Sequence, residues 1–134
     1  VGNVPGEVDA APEVSPGGPP VTATPTVREI AYCYRTADIT VNDTNHRIPI
    51  GIDTGDAAQA IRDICAAIWT GNDYQWSPHP LPAPPPLVAC VLNWGTIKIR
   101  QLNPGAGKVR EGAVGVYPGD ASTCSVMGMA DAAV

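Results

Sequence analysis

Residues 56–71 read DAAQAIRDICAAIWTG, and this stretch decides the fold. Ala57, Ile61, Ile64, Cys65 and Ile68 recur at i, i+3, i+4 and i+7 spacing, which predicts an amphipathic helix over about 57–70. Asp56 with Gln59 forms a D-x-x-Q variant of the capping box, and Gly71 is placed to close the other end. Arg62, Asp63 and Ala66 face water, while Trp69 sits at the edge of the stripe. Cys65 lies inside the stripe, so its sulfur points into the core. A helix with one apolar face must bury it against another element.

The flanking sequence supplies a sheet. REIAYCYRT (28–36) alternates, with Ile30, Tyr32 and Tyr34 on one face and Ala31 and Cys33 on the other. Residues of these types suit a half-buried strand. IPIGI (48–52) reads as a short edge segment, because Pro49 cannot donate to a central ladder. SPHPLPAPPP (77–86) is a stiff surface connector with Trp76 or Tyr74 beside it to stack on. LVACVL (87–92) is an unbroken apolar run of strand length, consistent with a central strand. NWG then reads as a turn, and TIKIRQL (96–102) as a strand with Ile97 and Ile99 inward and Lys98 and Arg100 outward. NPGAG (103–107) is a second turn. KVREGAVGVYP (108–118) is a further strand interrupted near Gly112, and GDASTCSVMGM (119–129) a short helix capped by Asp120. The expected class is α+β: a three- to four-stranded, mainly antiparallel sheet, one helix across a face, and a short C-terminal helix.

The 134-residue chain holds four cysteines, Cys33, Cys65, Cys90 and Cys124, each on a different predicted element. Four cysteines permit three pairings. Cys33–Cys65, strand to helix, and Cys90–Cys124, central strand to C-terminal helix, are favoured over the alternatives, four buried thiols among them. Each bridge would close a loop of about 33–35 residues and contribute roughly 3–4 kcal/mol. No C-x-x-C is present, and His46 and His79 stand in loops far from any cysteine, which argues against zinc and covalent haem. No cofactor is implied.

Residues 1–27 contain six prolines and four glycines, and valine is their only large apolar residue. Such a stretch cannot offset an ordering entropy of roughly 1–2 kcal/mol per residue by burial. It reads as an extended tail or tether, or as an arm docked on its own domain or a neighbour. Residues 28–134 form the single disulfide-stabilised domain. The net charge of −5 argues against sequence-independent nucleic-acid binding. Lys98, Arg100, Lys108 and Arg110 form the one local basic group, on the solvated face of the expected hairpin, with a site for an acidic partner as the alternative. No apolar run has transmembrane length. Val1 to Pro5 has neither the basic nor the apolar region of a signal peptide, the expectation for a mature or trimmed chain.

AYCYRTADI (31–39), DAAQAIRDICAAIWTGN (56–72), PPLVACVLNWG (85–95) and AVGVYPGDASTCSVMGM (113–129) together resemble a family of actinobacterial extracytoplasmic four-cysteine domains. The resemblance covers roughly 31–129 and departs from the family pattern at TIKIRQLNPGAGKVREG (96–112), which looks like an inserted hairpin. It implies export and a disulfide-bonded α+β domain, and it implies no activity.

Catalytic constellations are weak. Ser77, His79 and Asp73 are near in sequence but lie in and beside a proline-rich connector without a nucleophile elbow. Asp53 and Asp56 suit a helix start, where acidic side chains favour the macrodipole. His46 and Arg47 read as a solvated loop pair, and Asn42-Asp43-Thr44 is a chance glycosylation sequon. The aromatic residues Tyr74 and Trp76 after the helix, and Trp94 in the NWG turn, are the candidate contacts for a partner. The expectation is a non-enzymatic, secreted or cell-surface module for protein interaction or self-assembly, with envelope attachment through the tail. Its alternatives are an accessory subunit of an envelope complex and a small secreted enzyme or inhibitor.

Overall fold

The amphipathic stretch forms helix α1 (Ala58–Gly71) in a computed structural model that describes residues 14–41, 46–52, 58–102 and 108–133. Its buried residues, Ala58, Ile61, Cys65 and Trp69, make one stripe. Trp69 belongs to the core rather than to its rim, and Ile64 is turned outward. The helix ends through Asn72, whose positive φ of 55° places it in the left-handed region. Gly71 is the last helical residue, so the cap lies one position beyond the expected glycine. Ala57 and the Asp56 side of the capping box lie outside the described residues.

The strands are β1 (Thr22–Ala23), β2 (Ile30–Tyr34), β3 (Arg47–Gly51), β4 (Leu87–Val91), β5 (Val114–Pro118) and β6 (Ala130–Ala132). They form one six-stranded sheet in the order β1-β6-β4-β5-β2-β3. The sheet is mixed. β1 runs parallel to β6 and β2 parallel to β5, while the other neighbours are antiparallel. The expected three to four, mainly antiparallel strands become six: β2 to β5 lie where strands were expected, the one expected over 96–102 is absent, and two very short ones, β1 and β6, are added. Thr22-Ala23 and Ala130-Asp131-Ala132 carry no aromatic or branched apolar residue and are too short for alternation to register. Their pairing is nonetheless explicit: the Asp131 and Ala133 N–H groups donate to the Val21 and Ala23 carbonyls at 2.6 and 2.7 Å. Part of the proline-rich segment therefore lies in the sheet, and Val27 is buried in the core.

Helix α2 (Trp94–Arg100) replaces the strand expected over 96–102. Asn93 caps it, its side-chain oxygen accepting from the Thr96 N–H at 3.2 Å. Ile97 is 1% exposed and Ile99 84%, so the two isoleucines point to opposite sides, as residues two apart on a helix do. Lys98 and Arg100 fall in the last turn, where the helix dipole favours cations. The short helix α3 (Thr123–Val126) follows a turn in which Asp120 accepts from both the N–H and the hydroxyl of Ser122.

Alternation along the strands divides the core into two layers. Ala31, Cys33, Val114 and Val116 face α1 on one side, with Ile61, Cys65 and Trp69. Tyr32, Tyr34, Cys90 and Tyr117 face the other side, with Ile97, Cys124 and Met129. Each layer holds one disulfide. Cys33–Cys65 ties β2 to α1, and Cys90–Cys124 ties β4 to α3; Cα–Cα is 5.6 Å in both. This is the pairing favoured from the placement of the cysteines on their elements.

Candidate functional site

Strand β3 is the last strand of the sheet, and its outer side has no strand paired to it among the described residues. Its register with β2 fixes which main-chain groups face outward. The Arg35 N–H donates to the His46 carbonyl at 2.8 Å, and the Ile52 N–H to the Glu29 carbonyl at 3.2 Å. Between these, Ile48 and Ile50 stand opposite Cys33 and Ala31. Antiparallel alternation makes those the hydrogen-bonded pairs, so Arg47, Pro49 and Gly51 turn their main-chain groups away from the sheet. Pro49 thus occupies a position where a missing N–H removes no ladder bond, as an edge strand requires.

A groove of about 680 Å³ runs along this edge. Its first wall carries charge: Lys108, exposed, and Arg47, whose guanidinium carbon lies 5.6 Å from the Tyr32 ring centroid. Lys108 is held there by its neighbours. Val109 is buried, the Arg110 N–H donates to the Tyr32 hydroxyl at 3.3 Å, and Arg110 pairs with Glu29 at 2.7 Å. The Arg110 guanidinium also keeps the Glu29 carboxyl below its ordinary range.

The second wall is apolar, built from Ile48, Trp76 and Tyr74. A latch after α1 sets the two aromatics. The Asn72 side chain donates to the Ser77 carbonyl at 3.0 Å and accepts from the Ser77 N–H at 3.2 Å. Within this loop Gln75 adopts a φ of 55°, and its N–H donates to the Asn72 carbonyl. Trp76 consequently turns inward, 7% exposed and edge-on to Trp69 at 5.0 Å. Tyr74 turns outward, 56% exposed, with its ring 6.2 Å from Trp76.

No protein-family model matches the chain, and no curated protein or solved structure shows significant similarity to it. The reading of the site therefore rests on its geometry.

The structure brings Tyr74 and Trp76 together at the groove and sets Trp94 elsewhere. Trp94 is the first residue of α2 rather than a hairpin tip, and its half-buried side chain packs on the core; its main-chain N–H donates to a Glu111 carboxylate oxygen at 2.8 Å. The four basic residues of 98–110 likewise do not lie on one hairpin: Lys98 and Arg100 lie on α2, Lys108 on the groove and Arg110 with Glu29. Arg47 is not a solvated loop residue but the buried first residue of β3. Ser77 donates its hydroxyl to the main-chain carbonyl of His79 at 2.7 Å, which directs it away from the nucleophile role. Asp53, Asp56, the 42–44 sequon and the NPGAG turn lie outside the described residues. Disulfide bonding occupies all four cysteines. Of the groove residues, Lys108 belongs to the basic group noted in the sequence, whereas nothing in the sequence pattern directly marks Tyr32, Arg47 or Ile48 for the site. The available signal was Pro49, which marks β3 as an edge and hence its neighbours as groove residues.

Proposed function

We propose that the protein is an exported protein-interaction module that captures an extended chain segment along β3, in the service of a surface assembly rather than of catalysis. The observation that carries this reading is the groove itself: an open strand edge with a cationic wall on one side and an aromatic wall on the other. Outward main-chain groups supply hydrogen bonds to an added strand, and alternate side chains of that strand fall into the two walls. The two disulfides support work in an oxidising compartment, and no helix among the described residues is long and apolar enough to cross a membrane. Membership of an actinobacterial extracytoplasmic four-cysteine family is part of the same proposal, resting on the four sequence phrases.

The test is selection of binders from a displayed library of unstructured peptides. Selected peptides should lose binding at least tenfold with Tyr74→Ala and with Lys108→Glu, and keep it with Ile99→Ala on exposed α2. Failure to select any binder, or binding indifferent to both groove substitutions, would contradict the reading.

A further inference from the structure

We infer that the groove of one molecule takes residues Glu7–Ala10 of a second copy, so that the chain assembles head to tail; this rests on the capture of an extended segment proposed above. Residues 1–13, VGNVPGEVDAAPE, lie outside the described residues and carry Glu7, Asp9 and Glu13 with no lysine or arginine. Between Pro5 and Pro12 runs a proline-free stretch, GEVDAA, able to accept and donate along a strand.

Its side-chain alternation matches the two walls. In an extended strand Glu7 and Asp9 share one face and Val8 and Ala10 the other. The first pair meets the wall of Lys108 and Arg47, and the second the wall of Ile48 and Trp76. Shifting the register by one residue would place carboxylates on the aromatic wall and aliphatic groups on the cations, so the pattern selects which face of the added strand meets each wall.

Distance makes the groove a neighbour's rather than the molecule's own. Val14 lies against Gly128, where a β-carbon on the glycine would come 3.3 Å from the Val14 carbonyl oxygen. The Gly17 N–H donates to the Ser125 carbonyl at 2.7 Å, which holds this segment beside α3, over β4 and β6. A strand added outside β3 would lie four to five interstrand spacings away, about 19–24 Å. Ala10 can stand at most about 14 Å from Val14 along a fully extended chain. The matching stretch is too short to lie along its own β3. Donor and acceptor therefore sit toward opposite ends of the sheet, a heterologous arrangement that propagates unless its rotation closes a ring.

Sedimentation velocity of the full chain across a concentration series, with a labelled peptide of residues 1–13 as probe, tests this. The expected result is growth beyond the monomer with concentration. Glu7→Lys with Asp9→Lys should abolish it, and so should excess free peptide. Lys108→Glu should weaken peptide binding at least tenfold, and a peptide carrying Asp9→Lys should recover affinity for that variant; near-ultraviolet circular dichroism checks that each variant is folded. A full chain that stays monomeric, or an assembly that survives the double substitution and the peptide, overturns the inference. If library peptides bind the groove and the 1–13 peptide does not, self-capture falls while the interaction module stands.

Discussion

Gly115 shows how closely the layer opposite α1 is packed. It sits in β5 between Tyr32 of β2 and Cys90 of β4, and a β-carbon there would come 2.5 Å from Leu92 Cδ2 and 3.2 Å from Tyr34 Cε2. Both neighbours are fully buried, so neither can move into solvent. Gly115→Ala should therefore lower stability by about 1–3 kcal/mol in denaturant melts, the usual range for overpacking. The same layer stacks Tyr34 on Tyr117 with ring centroids 4.2 Å apart and planes within 11°. Burial raises both phenols above their ordinary range, with the Arg47 charge opposing the rise. Their folded-state values exceed the unfolded one of about 10, so the stability this protonation confers is complete below pH 10 and declines as pH rises further. Melting temperature should fall above pH 10, and Tyr34→Phe with Tyr117→Phe should flatten that fall. A slope identical in the double variant would contradict the assignment.

At the scale of elements, the loop after α1 depends on the Asn72 amide, which makes two bonds to Ser77 and occupies the left-handed position. Asn72→Ala loses both features and should cost about 1–3 kcal/mol, with faster proteolytic cleavage within 72–77. The conservative Asn72→Gly, which keeps only the backbone freedom, should recover part of the loss. The elements also show what was legible in the sequence. α1 was, because its stripe spans several turns, and so was the edge character of β3, because proline leaves few other places in a sheet. α2 was not: Ile97-Lys98-Ile99-Arg100 alternates like a strand, and the Asn93 cap that decides otherwise stands in an NWG sequence that equally suits a turn. β1 and β6 were hidden because their pairing is set by tertiary contacts, not by their own side chains. At the groove, Tyr74 and Trp76 stood out as aromatics following a helix. Lys108 stood out only as one of four clustered basic residues, and its place on the groove did not, since that depends on Val109 and Tyr32 at long range.

For the whole molecule, one disulfide on each face of the sheet means that the two helical layers are fastened independently. Each bridge spans 32 or 34 residues of chain, so its loss should cost roughly 3–4 kcal/mol. Cys33→Ala with Cys65→Ala should lower the unfolding free energy by that amount in denaturant melts, as should Cys90→Ala with Cys124→Ala, and reducing agent should bring the intact protein below either. Fastening both faces leaves the edges of the sheet as the places where another chain can add. The most direct measurement is amide hydrogen exchange at Gly51, whose N–H faces outward from β3, in dilute and in concentrated protein. This amide should slow by about tenfold or more as assembly proceeds, the protection expected when a strand pairs with it. Unchanged exchange at Gly51 in a sample shown to be assembled would contradict it.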